Sequence, residues 1–386
     1  MVHASRPQMS ASDPDTGPED CFLVSDYSGV QNSGRIEPFR SQGRNMATSL
    51  TCFEPDNEQI PVLHSPLTRA CYSATSTWVQ CSRMSRILIS GASGLIGGAL
   101  IPALENRGDQ VYRLVRREPC SEREVRWNPT EPVPPALLAG CDAVVHLSGE
   151  SVAGRWSEDK KKSIRDSRVI TTRNLATALA HTRNPPQAFL CASAIGYYGN
   201  RGDEVLTERS PAGHGFLAEV SSEWEQATQP AVEAGIRVVN LRIGIVLSMA
   251  GGAFKQMLRP FRFGLGGKIG DGQQWFCWIH VDDLVGAALE ILDPASRRAE
   301  GPIRGPVNMV SPNPVKNAEF TNTLGRVLGR PAVFSVPAFM LRLAWGEFAD
   351  EGPLSSARVV PGTLASAGFE FKYPRLEPAL IELLGR

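Results

Sequence analysis

No run of apolar residues in this sequence approaches the roughly 20 needed to cross a bilayer as a helix. Nor is charge of one sign in excess, since Lys+Arg and Asp+Glu number 40 each. A balanced chain has no electrostatic footprint for nucleic acid or an anionic membrane, which leaves a small-molecule substrate of unknown identity as the expected partner. Eight cysteines occur without a C-x-x-C pair or a Cys/His cluster at zinc-ligand spacing, so no metal site is expected. Free thiols in a reducing, cytoplasmic setting are the simplest reading. The first residues show no basic stretch leading into an apolar signal core.

Residues 1–83 lack lysine altogether and hold no lasting helical or strand period. They are rich in Ser, Thr, Pro, Asp and Asn, which fits a poorly structured extension. Met84, two residues before the first convincing strand, is a candidate for the true start of the protein.

From Ser85 the pattern is regular. RILIS (Arg86–Ser90), QVYRLV (Gln110–Val115), DAVVHL (Asp142–Leu147), AFLCA (Ala188–Ala192) and IRVVNL (Ile236–Leu241) read as strands. Helical stretches over Leu95–Asn106, Glu158–Ala180 and Phe216–Ala234 separate several of them. Such alternation predicts an α/β fold, a Rossmann-type doubly wound parallel sheet, over residues 84–245. Residues 246–386 have shorter elements and Gly-rich loops and read as a small C-terminal α+β substrate lobe, partly interleaved with the first domain.

The strongest local signal is SGASGLIGG at Ser90–Gly98. It follows a strand and opens a helix, the context that gives a glycine pattern meaning. Gly91 permits the turn, Gly94 lets backbone approach a pyrophosphate, and Gly97 lets helix and strand pack closely. The N–H groups around Ser93, Leu95 and Ile96, with the helix dipole, are placed to hold the anion. NAD binders usually carry an acid at the end of the second strand, about 20 residues on, for the ribose 2′-hydroxyl. Here that place is LVRRE, with Arg116 and Arg117. Guanidinium groups accept a 2′-phosphate where a carboxylate repels it, so the expected cofactor is NADP(H).

SGASGLIG, HLSG at His146–Gly149 and ASAIGYYG at Ala192–Gly199 together resemble the extended and atypical short-chain dehydrogenase/reductases. TER at Thr207–Arg209, LRIGIVL at Leu241–Leu247 and WIHVDDL at Trp278–Leu284 do so too. RWSEDKKKSIRDSR, FLAEVSSEWE and FRFGLGGKIGDGQQW resemble one branch more closely, the epimerase family proteins with a C-terminal domain of unknown function. The resemblance runs from about Met84 to the end. It implies NADP(H) in a cleft beside the substrate lobe, with Leu147, Ser148, Gly149, Arg242 and Gly244 among the residues lining it. It also implies oxidoreductase or epimerase ancestry, and leaves a homodimer open.

One absence stands out against that family. Its active enzymes carry Y-x-x-x-K on the helix read here as GFLAEVSSEWE, residues 215–225, which has no Tyr, Lys or His. With Glu225 on the glutamate that often follows the lysine, the Tyr and Lys slots fall on Leu217 and Ser221. Losing a positioned acid/base costs about 10²–10⁴ in rate. The arginine that clamps a sugar-nucleotide diphosphate is replaced by Phe276, with Gln274, Trp275 and Trp278 on an apolar wall. Ser193, where the resemblance puts an active-site hydroxyl, and Tyr197, Tyr198 and Glu219 are the remaining candidates to orient an oxygen or move a proton. A protein that binds NADP(H) without catalysis and engages a protein partner is the competing reading. His280 reads as a satisfied core histidine, Asp282 or Asp283 as an N-cap, Lys160–Lys162 as a solvated helix face, and Arg168 as a side chain able to reach the cleft.

Overall fold

The computed structural model describes residues 85–293 and 301–385, so the expectations for residues 1–83 and for a start at Met84 lie outside it. The described residues belong to one unit, Trp78–Arg386.

A seven-stranded sheet organises this unit. Its strands are β1 (Arg86–Ser90), β2 (Gln110–Val115), β3 (Glu124–Arg126), β4 (Ala143–His146), β5 (Ala188–Ala194), β6 (Arg237–Ile243) and β7 (Gly305–Met309). They lie in the order β3-β2-β1-β4-β5-β6-β7, and every pairing is parallel. This is the Rossmann-type arrangement expected. From β1 the chain moves outward to β2 and β3, then returns to β4 on the other side. That reversal opens a crevice at the carboxyl ends of β1 and β4, where open α/β sheets bind ligands.

Alternation along each strand supplies both faces. Ile87, Ile89, Val145, Leu190 and Val239 pack under helix α1 (Leu95–Asn106) and a later helix over Val281–Leu292. Leu88, Val144, Phe189 and Cys191 point the other way, against α2 (Glu158–Ala180) and α3 (Phe216–Gln226). Such double-sided burial is why the strands read as continuous apolar runs rather than alternating ones. The helical stretch expected over 216–234 is broken. After α3 a short helix restarts at Gln229–Glu233, with Pro230 in its first turn, where a missing N–H is harmless.

Beyond residue 245 the chain builds a smaller core from Leu247, Phe254, Leu258, Phe261, Trp278, Phe320, Leu324 and Leu380. Its helices are α4 (Gly252–Arg262), α6 (Asn317–Leu328) and α8 (Leu376–Leu384), with α7 (Ala338–Trp345) following α6 outside this core, while α5 (Val281–Leu292) joins the main sheet. β7 also comes from this half and completes that sheet beside β6. His280 is satisfied in the core as expected: Nε2 lies 2.9 Å from Glu382 Oε2. The cap of α5 differs from expectation. His280 Nδ1, not an aspartate, accepts from the Asp282 N–H at 3.1 Å. Asp283 instead accepts from the backbone N–H groups of Lys372 and Tyr373 at 2.6 and 3.0 Å. Among the described residues no helix is long and apolar enough to cross a membrane.

Candidate functional site: a glycine cradle beside a helix capped from afar

The turn from β1 into α1 meets the chain leaving β4. Gly91 has φ +74°, and a Cβ there would lie 2.7 Å from the Leu147 carbonyl carbon and 2.9 Å from Ser148 N. A Cβ at Gly97 would lie 2.5 Å from Gly91 O. Both glycines are therefore required by backbone approaching backbone. Gly94 sits at the N-cap of α1 with no side-chain cap, and the first turn carries no acid. Ser93 and Gly94 are exposed; Leu95 and Ile96 are half-buried. The first N–H groups of α1 thus face an open crevice bounded by Leu147, Ser148 and the exposed Gly149. Leu95 also touches the lobe, since a Cβ on Gly252 would lie 2.9 Å from its Cδ2.

At the end of β2 the two arginines differ. Arg117 makes a two-pronged bond to Glu124, Nη1–Oε2 2.9 Å and Nη2–Oε1 2.7 Å, and also reaches Glu118 O. Arg116 is exposed and has no ion pair among the described residues. Glu118, the nearby acid, is paired with Arg126. Arg116 is the guanidinium left available. Glu124 went unnoticed in the sequence because β3 is three residues long and carries no alternation to read.

Arg168 of α2 reaches the same crevice. A Cβ on Gly149 would lie 3.2 Å from its guanidinium carbon, and the guanidinium also lies over the Trp224 ring at 5.0 Å. Burial pulls its pKa down to about 10, partly opposed by Glu150. Lys160 pairs with Glu150, Lys161 with Glu347 and Lys162 with Asp166, so this stretch is an ion-paired face rather than a merely solvated one. Beneath the crevice His146 is fully buried. Its Nδ1 is 2.6 Å from Ser90 Oγ, and desolvation drives its pKa down to about 4.

On α3, Leu217 and Ser221 turn towards the segment after β5. A Cβ on Gly196 would lie 3.4 Å from Leu217 Cβ and 3.9 Å from Ser221 Oγ. These two positions, expected to be the slots of the Tyr-Lys pair, present an aliphatic group and a short hydroxyl to that segment. The start of the helix is held from far along the chain. Glu351 Oε1 and Oε2 accept from the N–H groups of Phe216 and Leu217 at 2.7 and 2.6 Å. Gly215, at φ +107°, makes room for that carboxylate. Nothing in the local sequence signals Glu351. Around it Trp156 packs edge-on to Phe216 and tilts against Phe348.

Three of the four catalytic candidates, Ser193, Tyr197 and Tyr198, gather around Arg242, and Glu219 lies apart. The buried Ser193 hydroxyl donates to Glu225 Oε1 at 2.7 Å. Glu225 is gripped by Arg242, with Nε–Oε1 and Nη2–Oε2 both 2.8 Å. Arg242 Nη1 donates to the Tyr198 hydroxyl at 2.9 Å, and that hydroxyl lies 2.7 Å from Asn308 Oδ1. Arg242, Ser193 and Tyr198 are all buried. Burial pushes the Tyr198 phenol up to about 12 against the pull of Arg242. Desolvation opposes the Arg242 charge too, but Glu225 outweighs it and holds the guanidinium protonated. The chain Ser193–Glu225–Arg242–Tyr198 is a closed brace tying β5, α3 and β6 together. Tyr197 lies outside this brace: its ring carries the Arg242 guanidinium at 3.5 Å, and it is half-buried. Glu219 is exposed and lies 3.7 Å from Arg165 of α2, which also takes Glu223 at 3.1 Å. Gly244 packs tightly, where a Cβ would meet Val310 at 2.7 Å and Cys277 O at 2.8 Å.

The expected apolar wall is partly internal. Phe276 is buried and stacked on Phe320 at 4.1 Å. Trp278 is fully buried, and the Gln274 amide donates to Ile269 O and Pro353 O. Trp275 reaches Asp203 through its indole N–H at 2.7 Å, with Lys316 and Arg358 over its ring.

Residues 87–303 match the model of the NAD dependent epimerase/dehydratase family, and residues 336–383 match a domain of unknown function, DUF1731. An epimerase family protein of Mycobacterium bovis is 43% identical over 296 residues, covering 76% of this chain and 96% of that protein. The human epimerase family protein SDR39U1, solved with NADPH, superposes with a TM-score of 0.71 at 32% identity, covering 78% of this chain and 99% of that one. A Corynebacterium glutamicum protein described as a nucleoside-diphosphate sugar epimerase gives a TM-score of 0.64 at 38% identity, with coverage of 78% and 58%.

Proposed function

The chain belongs to the NAD-dependent epimerase/dehydratase family, and on that premise we propose that it binds NADP(H) and acts as an oxidoreductase or epimerase on a small carbonyl or hydroxyl substrate. The glycine cradle carries this reading. Gly91 and Gly97 sit where any Cβ would strike backbone, and an uncapped helix end opens between them and Gly149. Those residues fit a pyrophosphate, and Arg116 fits a 2′-phosphate. The nicotinamide, when bound, supplies hydride exchange at its C4.

This chain's own residues have a limited part in the chemistry. Ser193 and Tyr198 are spent in the brace with Glu225 and Arg242, and Glu219 faces Arg165. Among the four candidates Tyr197 retains a phenol outside that brace. Leu217 and Ser221 favour a second reading, an NADP(H)-binding protein without turnover, because neither can act as the proton donor of that helix. Calorimetric titration tests the common part: NADPH is expected to bind more tightly than NADH, and failure of both to bind sinks the reading. A carbonyl panel followed at the NADPH absorbance band separates the two, since turnover that disappears in Tyr197→Phe supports the enzyme and silence across the panel supports the binder.

A further inference from the structure

We propose that the outer face of the C-terminal lobe docks on an anionic lipid surface. This goes beyond the cofactor reading and stands independently of it. Two segments form the face. The strand Phe334–Val336 runs parallel to Gly267–Ile269, and a Cβ on Gly264 would lie 3.6 Å from the Pro331 ring. Large apolar side chains project from both: Phe263, Leu265, Val333 and Phe334, followed on α7 by Phe339, Met340 and Leu343. Phe263, Val333 and Leu343 are 80%, 81% and 75% exposed, so they stand out from the surface rather than line a groove. Scattered exposed leucines need no explanation, but four large hydrophobics on two adjoining segments, with three more exposed on the helix that follows, do.

The charge beside them is one-sided. On α4, Phe254, Leu258 and Phe261 are buried, and the next residue after each of the first two, Lys255 and Arg259, is exposed together with Arg262. These three cations share one stripe at helical spacing. Residues 252–270 contain four cations and no carboxylate; residues 325–346 contain three and none. Arg326 is paired with Glu377 and Arg342 with Asp350. Lys255, Arg259, Arg262, Lys268 and Arg330 have no ion pair among the described residues and are all exposed. The zero net charge of the chain conceals this local excess.

Three occupants are conceivable, and the chemistry separates them. A second copy meeting this face by a two-fold axis would set like charges against each other. A peptide partner calls for pockets that receive anchors, whereas here the anchors belong to the lobe itself. Protruding aromatic and aliphatic tips on segments that carry unpaired Lys and Arg match a headgroup boundary, where the tips enter the acyl edge and the cations meet lipid phosphates.

The test is cosedimentation of the full chain with phosphatidylcholine vesicles, alone or with about 30 mol% phosphatidylserine. Binding is expected only to the anionic vesicles, weakening at least about tenfold as salt rises from about 0.1 to about 0.5 M. The double variants Phe263→Ser/Val333→Ser and Arg259→Glu/Arg262→Glu should each weaken it about tenfold, with NADPH affinity and melting temperature unchanged. The proposal is overturned if neither vesicle type is bound, if neutral vesicles bind equally well, or if sedimentation shows a dimer that Phe263→Ser/Val333→Ser dissociates.

Discussion

Glu351 accepts a hydrogen bond from the backbone N–H of Leu217 at 2.6 Å, joining the C-terminal segment to the head of α3. The same carboxylate takes the Phe216 N–H, so two orphan donors of α3 are satisfied from 135 and 134 residues away. Glu351→Ala should destabilise the protein by about 1–2 kcal/mol, the usual value of a helix cap. Glu351→Gln should recover part of that. Urea unfolding checks both, and an Ala variant as stable as the parent would contradict this capping role.

Arg242, buried, and Glu225, half-buried, form a two-pronged pair. Arg242→Met leaves the Glu225 carboxylate without its cation, held only by the Ser193 hydroxyl, and should cost about 3–5 kcal/mol. The double change with Glu225→Leu should recover much of the loss. A cycle of the two single variants and the double, read by denaturant midpoint, measures the coupling.

Gly97→Ala would drive a methyl into the Gly91 carbonyl and the Ala92 backbone. The turn must open to admit it. NADPH affinity is expected to fall by more than about tenfold, even though Ala is the better helix former at this position. Fluorescence titration of NADPH reads the effect directly.

Arg116 and Arg117 should behave differently despite adjacency. Arg116→Ala should weaken NADPH by about 10-fold or more and leave NADH nearly unaffected, since one charge-assisted bond contributes roughly 1.5–3 kcal/mol. Arg117→Ala should have a smaller effect on this selectivity, because its guanidinium is engaged by Glu124. Equal losses for both cofactors in the Arg116 variant would remove the 2′-phosphate assignment.

His146 gives the fold a pH dependence with a definite sign. Desolvation lowers its pKa from 6.5 to about 4, so the unfolded chain takes a proton that the folded chain refuses. Stability from this group is full above about 6.5, falls as pH drops towards about 4, and changes no further below. The loss approaches about 3 kcal/mol. His146→Gln should flatten the wild-type slope in melting temperature across that window.

How much of this was legible depended on the range of the signal. β1, α1, β2 and α2 have the limits the sequence pattern suggests, because an apolar run or a helical period states its own ends. The glycine cradle was legible for the same reason: Gly91, Gly94 and Gly97 fall within seven consecutive residues. β3 escaped notice at three residues, and with it the hold of Glu124 on Arg117. Ser193, Tyr198 and Arg242 could be picked out as polar groups near strand ends. That they satisfy one another through Glu225 could not, since the partners lie 17 to 44 residues apart. Glu351 had no local signature at all.

The distance between Glu351 and the helix it caps also sets an order of events. Synthesis runs at about 5–20 residues per second, so the ribosome delivers Glu351 about 7–27 s after Leu217. During that interval α2, α3 and the first six strands can leave the tunnel, while the N–H groups at the head of α3 have only water as acceptor. The head of that helix is therefore tied only late in synthesis, and a chain cut short before residue 351 lacks the carboxylate that ties it.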